Sequence, residues 1–272
     1  MAGRLTVSFE DLVRGFEEIG VRPGDVVFVH ASLSSFGYVD GGVDMLIEAL
    51  LAAVGPGGTL AMPGFSFQLT NVPSPVFDVR FTPCWASKIY ERFRLRKGVS
   101  RSHHATHSVC ATGVRAAELT ATHSVTPCGP ESPFRKFAAW NAKILLLGVS
   151  HNSSTTFHAV EEQERVPYMS FPELNGATII DESGRQRRIE TRVHELSRKY
   201  DFNRMNAPLE TAGIQRQTVI GEAVVRGMEA GRTFGFAVEA VRRDPWALAM
   251  DGEGEVRIAV SADQIEAMGE SR

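Results

Sequence analysis

A histidine followed by two consecutive glutamates is the stretch of this sequence best suited to chemistry. His158 precedes Glu161 and Glu162 by three and four residues, so all three share one face if the segment is helical. A carboxylate there can accept a hydrogen bond from one imidazole nitrogen and leave the other nitrogen free as a base. The pattern therefore predicts a His158 base oriented by Glu161. An amphipathic helix carrying a surface ion pair is the structural alternative.

The residues before His158 predict a helix that begins just after a buried strand. The run 143–149 is apolar, residues 150–154 are small and polar, and Thr155 follows. Ser and Thr often cap helices because their hydroxyl oxygens accept the first free backbone N–H groups. His158 would then lie near the positive end of the helix dipole, which favours the neutral imidazole.

A second polar loop follows another predicted buried strand. Residues 26–30 are short, apolar and β-rich, and residues 31–37 read Ala-Ser-Leu-Ser-Ser-Phe-Gly. Ligands of open α/β sheets bind beyond the carboxyl ends of the strands, where such a loop can offer N–H groups and hydroxyls to a pyrophosphate or an amide. A plain polar turn is the alternative. The loop matches neither nucleotide-binding glycine motif, which disfavours a nucleotide-hydrolysing or dinucleotide-dependent enzyme.

A basic segment leads into a group of histidines. Most basic runs are solvated helix faces, but this one can also hold the phosphates of an anionic cofactor; it comprises Arg92, Arg94, Arg96, Lys97 and Arg101. The spacing of His103, His104 and His107 fits no common zinc pattern, so we expect no metal. A metal-assisted hydrolase stays open as an alternative, although the chain lacks the G-x-S-x-G elbow of serine hydrolases.

Length, composition and charge are those of a soluble globular protein. The chain has 272 residues, 43% of them hydrophobic, and a net charge of −3. That charge gives no electrostatic basis for binding nucleic acid or an anionic membrane. The start lacks a signal-peptide core, and no apolar run reaches the length of a membrane span. Three scattered cysteines, Cys84, Cys110 and Cys128, suit a reducing cytoplasm.

The order of elements predicts the fold that must position these residues. Strand, loop, helix and strand within residues 26–63 form a βαβ unit. We predict an α/β fold with a mixed, largely parallel central sheet flanked by helices, and an added antiparallel hairpin around Gly184. We expect residues 1–272 to form one domain, in which 168–215 is a hairpin and irregular subregion on the acceptor side. The helices are predicted at 8–19, 43–54, 85–95, 114–122, 133–140 and 218–230, whereas 236–243 can be a strand or a helix and the last twenty residues a small strand or loose chain.

Four blocks of this sequence, in order, resemble the aminoglycoside 3-N-acetyltransferase family. The likeness is good over about residues 8–165 and looser beyond. The blocks are Val-His-Ala-Ser-Leu-Ser-Ser-Phe-Gly at 29–37 with the glycine-rich stretches that follow, Arg-Ser-His-His at 101–104 with Ser108, Cys-Gly-Pro-Glu-Ser-Pro at 128–133, and the strand 144–149 leading into Thr-Phe-His-Ala-Val-Glu at 156–161.

The resemblance implies direct transfer of an acetyl group from acetyl-CoA to an amine, in a complex holding both substrates. It implies His158 as general base and Glu161 as its partner, with Glu162 as the alternative partner. Asp201 and Glu162 are the residues expected on the acceptor side. The residue spacing already predicts no metal, and a homodimer is compatible with the sequence. The residues it implies for CoA are His30, Ser32, Leu33, Ser34, Arg101, Ser102, His103, His104 and Ser108.

Two features of the sequence depart from the family pattern. Ala105 stands where the family usually has proline. The family's resistance enzymes carry an acidic region late in the chain, but this chain is basic there, with Arg185, Arg187, Arg188, Arg192, Arg198, Lys199 and Arg204. An acceptor that also bears a phosphate or a carboxylate would suit those cations. The alternative acceptor is therefore a biosynthetic amine such as an amino sugar or phosphonate. The alternative function is a CoA-binding module without catalysis.

Overall fold

The computed structural model describes residues 6–250. Within them the strands are β1 (Thr6–Val7), β2 (Val26–Ala31), β3 (Tyr38–Val39), β4 (Thr59–Pro63), β5 (Val76–Asp78), β6 (Ser100–Arg101), β7 (Val109–Gly113), β8 (Lys143–Leu147), β9 (Met169–Ser170), β10 (Thr178–Ile180), β11 (Gln186–Arg188), β12 (Glu195–Leu196), β13 (Gln215–Ile220) and β14 (Ala223–Glu229). The helices are α1 (Phe9–Glu18), α2 (Gly42–Val54), α3 (Lys88–Arg94), α4 (Ala116–Thr120), α5 (Pro133–Ala139), α6 (Thr155–Glu164), α7 (Asn206–Thr211) and α8 (Ala230–Arg243).

A seven-stranded mixed sheet forms the centre of the molecule, in the order β13-β14-β8-β2-β4-β7-β6. The three central strands β8, β2 and β4 are parallel, and the strands on either side pair antiparallel. The predicted α/β fold with a mixed sheet is confirmed. The parallel part is smaller than predicted, because antiparallel strands flank the central three on both sides.

Alternation along the central strands sends apolar side chains to both faces of this sheet. On β2, Val27 and Val29 pack in one core with α1, α2 and α3, while Phe28 packs in the other with α4, α5, α6 and α8. Strand β8 repeats the pattern, since Leu145 joins the first core and Leu146 the second. Helices on both faces therefore fix β2 and β8 side by side, which aligns their carboxyl ends.

The added subregion contains the predicted hairpin. β10 and β11 pair antiparallel. β10 also pairs in parallel with β5, which lies in the proline-rich segment of residues 65–83, so that this segment contributes a strand to the same small sheet. A core of its own lies beneath this sheet, with Phe77 and Ile179 fully buried in it. No helix of residues 6–250 is both long and apolar enough to cross a membrane.

The helix predicted for residues 218–230 is wrong. These residues belong to a hairpin of β13 and β14, which turns at Gly221 with φ of 59°. β14 completes the sheet beside β8, and this pairing outweighs the weak helical periodicity of the segment. The segment 236–243, predicted as a strand or a helix, is helical as part of α8.

The predicted helix starting at Ser8 is confirmed with its capping box. The prediction for the last twenty residues lies outside the described residues.

Candidate active site

The carboxyl ends of β2 and β8 open onto a cavity in the described part of the chain. Their parallel register pairs Ala31 with Leu147, the last residue of each strand. The cavity has a volume of about 800 Å³, and side chains from both following loops line it. This is the position at which α/β sheets commonly bind ligands.

A glycine holds the two loops together. The Ser35 hydroxyl donates to the Gly148 carbonyl at 2.7 Å, and the Ser32 N–H donates to the Leu147 carbonyl at 2.9 Å. Gly148 has φ of 66°, and a Cβ there would lie 2.4 Å from the Ser35 Cβ. Only glycine satisfies both the left-handed backbone and this close approach.

Alanine at Gly148 is expected to destabilise the fold more than alanine at Gly213. Gly213 has φ of 65°, but no described atom lies within 4 Å of the position that a Cβ would take there. The left-handed strain of about 1–2 kcal/mol is common to both variants. The contact with Ser35 adds about 1–3 kcal/mol at Gly148 only. Urea unfolding of both variants measures this difference, and equal losses would contradict the role given to the loop contact.

The predicted histidine–glutamate pair forms on α6. His158 Nδ1 lies 2.6 Å from Glu161 Oε2, and Glu161 is fully buried while the His158 side chain is 15% exposed. The other carboxylate oxygen, Oε1, accepts a 2.7 Å hydrogen bond from the Tyr168 hydroxyl. Within residues 6–250, His158 Nε2 has no hydrogen-bond partner, and His158 lines the cavity. The geometry thus holds one imidazole nitrogen and leaves the other for a ligand.

Aromatic rings from the added subregion enclose the His158 ring. Tyr200 and Phe202 meet it edge to face at centroid distances of 4.8 and 4.9 Å, and the His194 ring lies at 5.3 Å. The predicted helix start is confirmed, but its hydroxyl cap is not, because the buried Ser154 Oγ has no partner among the described residues. Packing rather than capping therefore fixes the orientation of this helix end.

The predicted first CoA-binding block does line the cavity. His30, Ser32, Leu33 and Ser34 are all lining residues, and Ser32 Oγ lies 3.1 Å from Ser34 Oγ. His30 is 2% exposed, and its Nε2 has no partner within residues 6–250. Burial lowers the pKa of His30 to about 3, so it is neutral near pH 7.

The second block lies inside the protein rather than in the cavity. Its side chains Arg101, Ser102, His104 and Ser108 are at most 4% exposed. Arg101 donates to Ser108 Oγ at 2.8 Å, to the carbonyls of Gly64 and Thr82 at 2.5 Å, and to Ser66 Oγ at 2.9 Å. Its guanidinium also lies 4.6 Å from the centroid of the Phe77 ring.

The other members of that block make equally complete contacts. The Ser102 hydroxyl accepts from the Val109 N–H, and His104 Nδ1 accepts from the His107 N–H at 3.1 Å. His103 binds Glu182 of the hairpin turn at 2.9 Å. Arg101, Ser102, His103, His104 and Ser108 are not among the residues that line the cavity, and a CoA contact for them stays a prediction.

The residues predicted for the acceptor side are engaged elsewhere. Glu162 accepts hydrogen bonds from the Thr126 hydroxyl, from the Cys128 N–H at 2.9 Å and from His194 Nε2 at 3.2 Å. Asp201 accepts from the Asn203 N–H at the start of a short 3₁₀ segment. Neither lines the cavity, although Tyr200, next to Asp201, does.

Cys128, Glu162 and His194 have the residue types of a metal site, with potential ligand atoms within 4.8 Å of one another. Three donors already occupy Glu162, and burial raises the pKa of the Cys128 thiol well above its usual range. A neutral thiol is a poor metal ligand. The contacts therefore favour a hydrogen-bonded network, and a metal-free site stays a prediction.

Several cavity residues had no recognisable signal in the sequence. Three of them, Phe65, Phe67 and Tyr200, lie in segments without clear periodicity. The fourth, Lys88, is the first residue of α3. Tyr168 reaches Glu161 because Arg165, with φ of 53°, ends α6 in a left-handed turn. A spacing of seven residues does not by itself predict a contact between Glu161 and Tyr168, because the contact depends on the turn at Arg165.

Buried histidines predict that acid destabilises the fold. Burial lowers the pKa of His30 and His123 to about 3 and that of His151 to about 4. The unfolded chain binds these protons near pH 6.5, so stability is complete above pH 6.5 and falls as pH decreases towards the folded values. Each histidine is expected to cost about 2 kcal/mol between pH 6.5 and pH 5, at about 1.4 kcal/mol per pH unit.

Urea unfolding at a series of pH values measures this loss. His151→Asn should remove about one proton from the slope of unfolding free energy against pH. A flat stability profile between pH 7 and pH 5 would contradict the neutral, buried state of these rings.

Comparison with known proteins identifies relatives over most of the chain. Residues 28–242 match the family model described as aminoglycoside 3-N-acetyltransferase. Aminoglycoside N(3)-acetyltransferase IV of Salmonella sp is 30% identical over 91% of this chain and 92% of its own length. The aminoglycoside N(3')-acetyltransferase-like protein YokD of Bacillus subtilis is 32% identical over 65% of this chain and 71% of its own.

A solved structure has a similar fold over most of the chain. It is a histidine-to-alanine mutant of aminoglycoside acetyltransferase AAC(3)-IVa in complex with a gentamicin, with a TM-score of 0.78 and 26% sequence identity. The match covers 91% of this chain and 93% of that chain.

Proposed function

The chain belongs to the aminoglycoside 3-N-acetyltransferase family, and from this premise we propose that it acetylates a primary amine of an aminoglycoside or related amino compound. Acetyl-CoA is the donor, and His158 is the general base. The observation that carries the proposal is the His158 imidazole, held at Nδ1 by a buried carboxylate while Nε2 has no partner among the described residues at a cavity of about 800 Å³. That cavity opens where parallel strands end, as a cosubstrate site should.

The reaction needs a base because an ammonium group must lose a proton before it attacks. His158 Nε2 takes that proton, and the amine nitrogen then forms a bond with the thioester carbonyl carbon. The carbon–sulfur bond breaks, and the nitrogen, still carrying a second proton after attack, gives that proton to the departing thiolate as CoA is released. The first proton, held on His158, passes to solvent. Glu161, fully buried and 2.6 Å from Nδ1, stabilises the imidazolium during this transfer.

The first loop is proposed to hold the acetyl end of the donor. The hydroxyls of Ser32 and Ser34 lie 3.1 Å apart at the cavity wall and can donate to the oxygen that becomes negative during attack. Within residues 6–250, Lys88 is the only lysine or arginine that lines the cavity, and it is exposed. We assign it to a phosphate of CoA.

The acceptor is proposed from the relatives, one of which is solved with a gentamicin. None of the seven basic residues between 185 and 204 is among those lining the cavity. The cavity therefore gives no specific support to the alternative acceptor that bears a phosphate or a carboxylate. The intact His158–Glu161 pair likewise disfavours a module that has lost catalysis.

A thiol-release assay with acetyl-CoA tests the proposal. Aminoglycosides, neutral amino sugars and aminophosphonates serve as three acceptor classes, and mass spectrometry identifies the product. Release with an aminoglycoside and a gain of one acetyl group support the proposal. CoA binding without release for every amine would assign the chain to the inactive module. Release without an acetylated amine, together with one equivalent of zinc, would assign it to a metal-assisted hydrolase.

A further inference from the structure

Glu161 is a buried carboxylate with both oxygens in use. Oε2 faces His158 Nδ1 at 2.6 Å, and Oε1 accepts from the Tyr168 hydroxyl at 2.7 Å. Glu161 is 0% exposed and Tyr168 is 2% exposed, so water does not replace either contact. A buried charge with an orphaned oxygen is costly, which makes each of the two donors important for this carboxylate.

The ring of Tyr168 is fixed independently of its hydroxyl. It stacks on Trp246 from the end of the described chain, with centroids 5.3 Å apart and planes 28° apart. Burial raises the pKa of Tyr168 above its usual range, so the hydroxyl remains a donor at working pH. The aromatic stack therefore sets the place of a proton donor directed at Glu161.

We infer that Tyr168 is a positioning residue of the acetyl transfer, which orients Glu161 so that His158 is held in its reactive tautomer. The three residues form a chain of two hydrogen bonds that ends at the cavity. This inference rests on the proposed function, because it gives Tyr168 a task only if His158 is the base.

Loss of the hydroxyl should change how the pair takes up a proton. When the Glu161 carboxylate faces a neutral His158 ring, the pair carries one buried negative charge. One added proton makes the pair neutral overall, either as an ion pair or as two neutral groups. The missing donor therefore costs most in the unprotonated, active form. The pair then binds a proton more readily, and activity is lost at higher pH.

Tyr168→Phe is the direct test, since phenylalanine keeps the stack on Trp246. We expect kcat to fall about tenfold, the size expected for one lost hydrogen bond to a charged group. We also expect the KM for acetyl-CoA to be unchanged and the acidic limb of the kcat profile to move to higher pH. Trp246→Phe is the matched control: it weakens the packing of Tyr168 but keeps its hydroxyl, so it should lower thermal stability without moving the acidic limb.

The outcomes separate the two proposals. An unaltered chain that releases no thiol with any amine overturns the proposed function itself. An active chain whose Tyr168→Phe variant keeps the kcat and pH profile of the parent overturns the inference. A loss of activity in both Tyr168→Phe and Trp246→Phe, with no shift of the acidic limb in either, also overturns it, because that pattern is purely structural.

Discussion

Replacement of His158 by alanine is expected to lower turnover by about 10²–10⁴-fold, the usual contribution of a general base. Acetyl-CoA binding should stay close to that of the parent chain, because the loop proposed to hold the donor follows β2, whereas His158 lies on α6. The remaining activity would come from holding both substrates together. Initial rates of thiol release and a separate measurement of the CoA dissociation constant give the two quantities.

Gln163→Ala is the control for that variant. Gln163 lies on the same helix, and its amide contacts only the neighbouring Glu164 among the described hydrogen bonds. It should keep near-normal turnover. If His158→Ala also kept near-normal turnover while binding CoA, His158 could not be the base, and the proposed mechanism would have to be abandoned.

Arg101→Met is expected to lower the free energy of unfolding by about 3–5 kcal/mol. Methionine retains much of the apolar contact but removes every donor. The Thr82 carbonyl and the Ser108 and Ser66 hydroxyls lose the guanidinium as a partner, and the Gly64 carbonyl keeps only the two serine hydroxyls. Each unsatisfied buried group costs about 1–3 kcal/mol. Urea unfolding of the variant gives the change directly.

Arg92→Met provides a matched comparison. Arg92 is exposed and pairs with Asp44 on the surface, and exposed pairs contribute up to about 1 kcal/mol. A small loss there beside a large loss at Arg101 would support an internal, structural arginine. A stable Arg101→Met protein with a much higher dissociation constant for CoA would instead support the direct CoA contact that the resemblance implies.

The contact between His158 and Glu161 could be predicted because it depends on near neighbours in the sequence. His158 and Glu161 are one helical turn apart, and the strand before them is strongly apolar. The loop after β2 was also predictable, since its small polar residues follow a buried strand. In both cases a local pattern contains the information that the fold uses.

The long-range contacts could not be predicted in this way. Arg101 reads as a member of a basic surface run, but the structure surrounds it with carbonyls from segments 19 and 37 residues away. Glu162 reads as an acceptor-side acid, but Thr126 and His194 come to it from two distant segments. The hairpin of β13 and β14, unlike these contacts, has a local signal in the sequence. The glycine at the turn, Gly221, and the valines beside it are typical of strands, and they favour a hairpin over the predicted helix.

The rings that surround His158 have a consequence for how acceptor preference can change. His194, Tyr200 and Phe202 all come from the subregion assigned to the acceptor side, and Tyr168 stands at its start. This segment is therefore not an interchangeable module, because it also builds the walls around the base. A chimaera that receives residues 168–205 of a relative should change its acceptor range and its pH range together, and kinetic profiles of such chimaeras would reveal whether the two properties are inherited as one.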